Sequence, residues 1–192
     1  SEVLDTEDAD SALQRALNVI RFKSAKYSCE HPFTIGGALA LQARALESGT
    51  DALSEQHPVL AGYRAFGLPL GEGFQLRDDE LGVFGQPEVT GKPAGDDLRE
   101  GKRTVLVALT SAALSNQEAA LLHDSLGNPT LSDEQVERIR ELMVSSGAFA
   151  EHERLIEDKS RAVFEALDTL EVDELVRAAL SDIVDRALRR KS

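Results

Sequence analysis

Asp78 and Asp79 stand side by side in GEGFQLRDDELGVFG, residues 71 to 85, a segment whose other positions are largely apolar or glycine. Adjacent carboxylates repel, and beside an apolar surface each also loses hydration, so the pair costs stability unless a cation compensates. A bound metal ion is the simplest compensation. On a helix Gln75, Asp78, Asp79 and Gly82 fall at i, i+3, i+4 and i+7, which puts all four on one face. Hard divalent cations choose oxygen ligands, and Mg2+ typically takes one or two protein carboxylates, keeping its other positions for water and phosphate oxygens. The competing reading is a solvated helix face on which Arg77 and Glu80 are further surface charges.

Lysines elsewhere in the chain favour the metal. VIRFKSAKYS places Lys23 and Tyr27 one turn apart with the Ser24 hydroxyl beside them, and Lys92 in TGKPAG and Lys102 in EGKRT each follow a glycine. A lysine is a flexible point charge suited to phosphate oxygens, although a lone one is ordinarily a snorkelling surface residue. Cations gathered around carboxylates, with metal between, form an arrangement that holds a diphosphate.

The elements that must carry these groups are helical. Ala, Leu, Glu and Arg dominate, Trp is absent, and apolar residues recur at helical spacing, which predicts an all-α protein of about seven helices. Leu13, Leu17 and Ile20 set the face of the first, which should run through Lys23 to about Tyr27. EHPFTIGG should then interrupt it, because Pro32 cannot continue a helix, and a second helix follows to about Glu47. A third runs through Leu60, Tyr63, Phe66, Leu70, Phe74 and Leu81, with Pro69 as an expected kink. GQPEVTGKPAGDD reads as the clearest loop, followed by a buried helix in REGKRTVLVALTSAAL. LSDEQVERIRELM opens on a capping box between Ser132 and Gln135, and two further amphipathic helices complete the chain.

Composition narrows the partners. With 192 residues the chain can bury a sizeable core as one domain, and its net charge of -13 argues against a nucleic-acid groove or an anionic membrane surface. No apolar run approaches the roughly 18 residues that cross a bilayer, and the acidic start SEVLDTEDAD is unlike a secretory signal, so the expected location is cytoplasmic. Cys29 is the single cysteine and reads as a small buried hydrophobe.

Taken together, these stretches resemble the carboxy-terminal half of a trans-type polyprenyl diphosphate synthase, the isoprenoid synthase family that includes geranylgeranyl and farnesyl diphosphate synthases. FKSAKYS is similar to the family's Lys-Thr motif with Ser24 in place of Thr, and GFQLRDDELG to its second aspartate-rich motif. FGQPEVTGKPAGDDLREGKRT resembles the loop that follows, so order and spacing match from about residue 1 to 110, and the tail resembles the family in helical character alone. Gly82 stands where the family motif has its last aspartate, and the first aspartate-rich motif is absent. More than a hundred residues are therefore expected ahead of Ser1, and a chain lacking that half should expose a wide apolar face.

The resemblance implies an all-α bundle of the isoprenoid synthase type, with residues 1–192 as the carboxy-terminal part of one domain and its amino-terminal helices missing. It implies a homodimer that condenses isopentenyl diphosphate with an allylic diphosphate, with geranylgeranyl diphosphate as the expected product, and a fragment that is inactive alone. Mg2+ is the implied cofactor, held by Asp78 and Asp79. Lys23, Lys92 and Lys102 would bind diphosphate, Ser24 and Gln75 would hydrogen-bond beside them, and Tyr27 and Phe74 would wall the prenyl chain. Two alternatives stay open: a non-catalytic subunit of the same fold that binds a competent synthase, and a helical interaction module with a merely solvated aspartate pair.

Overall fold

The structure, a computed structural model, describes residues 9–49, 57–87, 91 and 93–189. Among these residues there are nine α-helices, one π-helical segment and no strand. In chain order the helices are α1 (Ala9–Val19), α2 (His31–Ser48), α3 (Pro58–Phe84), α4 (Asp96–Arg99), α5 (Val105–Ala113), α6 (Asn116–Ser125), α7 (Asp133–Ser145), α8 (Ala148–Thr169) and α9 (Glu174–Leu188). The π segment, Ile20–Glu30, lies between α1 and α2.

The interruption expected at EHPFTIGG does not occur. The π segment passes directly into α2, with Pro32 in the first α-helical turn. Inside an α-helix a proline removes a hydrogen bond and its ring collides with the carbonyl four residues back, here that of Ser28. A π turn holds more residues than an α turn, so that carbonyl no longer opposes the ring, and the chain can change winding instead of breaking. The expected first helix is therefore two windings rather than one.

Helix ends follow local chemistry. Ser132 accepts from the Gln135 amide while Gln135 returns the bond, as the spacing predicts. Thr104 and Asp173 cap α5 and α9 in the same single-sided way. Helix α6 has no counterpart in the expected seven, although its signal was present: Ser115 and Glu118 form a second complete capping box. Helix α4 is one turn that straddles the end of the expected loop, too short for a periodic pattern to show.

The described chain forms two compact units, each with its own core. One draws on residues 9–19 and 76–155. Its core gathers Val83 of α3, Leu98, Leu106, Val107, Leu122, Leu131, and Val136, Ile139 and Met143 at i, i+3 and i+7 of α7. The other draws on residues 20–75 and 156–189. There Phe66 and Leu70 of α3 meet Val163, Ala166, Leu167 and Leu170 of α8 and Leu180, Val184 and Leu188 of α9. In the second unit the π segment and α2 carry an apolar surface: Phe22, Tyr27, Ile35, Leu39 and Leu46 are all more than half exposed. Ile35, Leu39 and Leu46 fall within one stripe of α2.

Candidate functional site

In the second unit the Lys23 and Ser24 stretch is pressed onto α3 at a point where neither side has bulk. Ala25 is fully buried, and a Cβ placed on Gly71 would lie 2.5 Å from the Ala25 Cα. No real side chain tolerates that approach, so glycine at 71 is what lets the two backbones meet. One turn further along α3, the Ser24 hydroxyl donates to Gln75 Oε1 at 2.7 Å. Two residues 51 positions apart, each singled out by its motif, are thus bonded directly. Lys23 and Tyr27 are exposed, and Phe74 is half-buried against the unit's core. Replacing Ser24 with Ala should cost about 1 kcal/mol of stability through loss of its hydrogen bond to Gln75, whereas Thr at 24 keeps the hydroxyl and should cost less. Paired urea titrations of the two variants check this.

Helix α3 is unbroken across both stretches, so Gln75, Asp78, Asp79 and Gly82 do occupy one face at i, i+3, i+4 and i+7. Within the first unit Asp78 is exposed while Asp79 is buried. Burial of one member makes a purely solvated pair a poor description.

The surface reading of Arg77 and Glu80 is corrected by the structure. Arg77 pairs with Glu80 at 2.6 Å and with Glu153 of α8 at 2.5 Å, and its side chain is only 13% exposed. Burial, then a hydrogen bond donated to Glu153, push the Glu80 carboxyl up to about 8, outweighing the opposing pull of Arg77. Glu153 moves down: burial would raise it, but its hydrogen bonds to Glu80 and Arg77 prevail. Of the two carboxyls, Glu80 is therefore the one that holds a proton more tightly. Beside them His152 is fully buried, its Nε2 donating to the Leu76 carbonyl at 2.9 Å, and burial keeps the ring neutral by lowering its pKa. Arg140 donates to the Val83 carbonyl at 2.8 Å and so closes the carboxy end of α3. These contacts hold the turn that bears the aspartates from its opposite side.

A pH dependence follows with a definite sign. The folded Glu80 pKa lies above its unfolded value, so its contribution is full below about 4.5 and is lost as pH rises through about 8. Unfolding midpoints should therefore fall between pH 5 and pH 8 and level off above, and Glu80→Gln should flatten that fall. Equal slopes for the two proteins would contradict the assignment.

In the same unit Lys102 donates to the buried Asp97 carboxylate at 2.5 Å and lies 3.2 Å from Glu100. Burial alone would lower its pKa, but the hydrogen bonds and charges of Asp97 and Glu100 overcome that and raise it. Lys92 lies outside the described residues. Asp97, His152 and Glu153 were not singled out by sequence reasoning. An aspartate pair beside a Gly-Lys step, 96 and 97, was the one local signal for the first, and the other two sit unmarked on an amphipathic helix.

The model of the family described as polyprenyl synthetase matches residues 1–143. The chain belongs to the polyprenyl synthetase family. Its match extends beyond the motifs, which end near residue 110. A (2E,6E)-farnesyl diphosphate synthase of Mycobacterium bovis is 33% identical over 149 residues, covering 76% of this chain and 40% of the relative. A geranylfarnesyl diphosphate synthase of Aeropyrum pernix is 36% identical over 125 residues, 62% of this chain and 38% of that protein. Among solved structures, a geranylgeranyl pyrophosphate synthase of Corynebacterium glutamicum, complexed with isoprenyl diphosphate and magnesium, superposes with a TM-score of 0.76 at 36% identity, covering 97% of this chain and 48% of that one. A polyprenyl synthase of Caulobacter crescentus, complexed with calcium and isoprenyl diphosphate, gives 0.70 at 30% identity, covering 98% and 53%. The polyprenyl synthetase chain therefore has the all-α isoprenyl synthase fold along almost its whole length, tail included. It spans about two-fifths of the length of these curated relatives.

Proposed function

We propose that this chain is the carboxy-terminal part of a prenyltransferase that condenses isopentenyl diphosphate with an allylic diphosphate to give a longer trans-polyprenyl diphosphate, with geranylgeranyl diphosphate as product. The observation that carries this reading is the Ser24 to Gln75 hydrogen bond, which ties the lysine-bearing stretch to the helix that bears Asp78 and Asp79. Family membership supports the reaction class.

The donor set fits a hard divalent ion: oxygen ligands on one helix face, one of them a buried carboxylate. Asp78 and Asp79 would hold Mg2+, which supplies positive charge to the diphosphate oxygens. Lys23, Lys92 and Lys102 add fixed positive charge at the departing diphosphate as the allylic C–O bond breaks. Fixed donors count for more there than in bulk water because they need no reorganisation during the step. The isopentenyl double bond then forms the new C–C bond, and loss of a proton completes the product. Ser24 and Gln75 fix the register of the Lys23 stretch, while Tyr27 and Phe74 wall the prenyl chain from water.

The whole enzyme requires helices beyond those of this chain, acts as a homodimer, and this portion alone is inactive. The exposed stripe of Ile35, Leu39 and Leu46 supports a covering partner. The test is to mix the chain with a polypeptide carrying the upstream half of a related synthase and assay for prenyl diphosphate elongation with and without Mg2+. Recovered, magnesium-dependent turnover supports a divided catalytic unit. Stable association without turnover would favour the non-catalytic subunit instead.

A further inference from the structure

Gly82 occupies the last place on the polar face of α3, and a side chain built there would have to displace Asp97. A Cβ at 82 would overlap the Asp97 carboxylate, meeting Oδ2 and Cγ and coming within 2.8 Å of Oδ1. Asp97 reaches this place from α4, is itself only 3% exposed, and grips the Lys102 ammonium at 2.5 Å. The Lys102 backbone amide also donates to the Asp97 carbonyl at 3.0 Å, so both ends of the short stretch are tied. Three residues far apart in kind are thus interlocked. The missing side chain at 82 creates a slot, the Asp97 carboxylate fills it, and the carboxylate fixes the lysine.

We propose that Asp97 is a positioning residue: it takes the space left by Gly82 to hold the Lys102 ammonium beside the Asp78 and Asp79 face, ready for a diphosphate oxygen. The proposal rests on the diphosphate-binding reading above. A lysine with four rotatable bonds would otherwise have to be ordered when the anion binds, at an entropic cost. Here the folded chain has already ordered it, so the gain appears in affinity for the anion. The raised pKa of Lys102 agrees with such a grip. Carboxylate and anion need not compete for one donor, since an ammonium group has three N–H bonds.

The experiment uses two readouts on the full chain. Calorimetry measures binding of inorganic pyrophosphate in the presence of Mg2+, and mass spectrometry follows the rate at which Lys102 is acylated by an amine-reactive ester. Asp97→Asn keeps the shape and removes the charge. It should weaken magnesium pyrophosphate binding about tenfold and speed Lys102 acylation by a similar factor, the scale of one charge-assisted hydrogen bond. Gly82→Ala should do the same by expelling the carboxylate, and circular dichroism of each variant establishes that it is folded. The exchange variant, Gly82→Asp with Asp97→Gly, returns a carboxylate to the slot from the opposite side and should recover most of both losses. Unchanged binding and unchanged acylation in Asp97→Asn would overturn the interlock while leaving the diphosphate reading intact, as would an exchange variant no better than Asp97→Asn. A wild-type chain that fails to bind magnesium pyrophosphate would overturn the diphosphate reading and this inference with it.

Discussion

Asp79→Asn is expected to weaken Mg2+-dependent binding of pyrophosphate by roughly 100-fold, in line with the loss of a principal charged group at a site of concentrated charge. Asparagine preserves the size of the side chain and its ability to accept hydrogen bonds, so the change isolates charge. Asp79 is the buried member of the pair and Asp78 the exposed one, which makes the two substitutions informative together. A carboxylate in a low-dielectric setting attracts a cation more strongly than one in water. Asp78→Asn should therefore show the smaller loss. Calorimetric titration at fixed pyrophosphate concentration, varying Mg2+, measures both. A solvated pair with no metal role would leave both affinities at the wild-type value.

Phe66→Ala should remove about 3–5 kcal/mol of stability from the unit built on residues 20–75 and 156–189. Phe66 is completely buried, and its ring and that of Phe33 meet edge to face at a centroid distance of 5.2 Å and an interplanar angle of 90°. Truncation loses transfer free energy, leaves a cavity among residues of α3, α8 and α9, and ends an aromatic pair that itself contributes about 1 kcal/mol. Phe33 belongs to α2 and stands just beyond the π segment, so the substitution also loosens the mounting of Ser24 against Gln75. A shift in the urea midpoint, accompanied by weaker pyrophosphate binding, is the expected pair of results. A loss below about 1 kcal/mol would mean that the cluster collapses freely around the gap.

Much of the fold was legible because its signals are local. Helical periodicity located the long helices, and Ser132 with Gln135 announced the start of α7 three residues ahead of its first core contact. Ser115 with Glu118 would have announced α6 by the same rule. Pro32 misled because its usual effect assumes α-helical winding on both sides, and the change of winding before it is set by packing against α3, which has no one-dimensional signature. Arg77 and Glu80 misled for a related reason. Charge predicts exposure unless a partner of opposite sign arrives from afar, and the partner that draws Arg77 inward, with Glu80 beside it, arrives 76 residues later as Glu153.

By itself the sequence determined the chemistry on offer: two carboxylates at helical spacing from an amide, a hydroxyl beside a lysine, and an all-α chain to carry them. Residue type and spacing suffice there, because side chains one turn apart on a helix must share a face. Tertiary structure alone decided which of these groups act together and at what charge. It joined Ser24 to Gln75, buried Asp79 but not Asp78, raised the pKa of Glu80, and lodged Asp97 in the slot at Gly82. Each of those outcomes depends on desolvation and on distances between residues remote along the chain, quantities that exist only once the helices have packed.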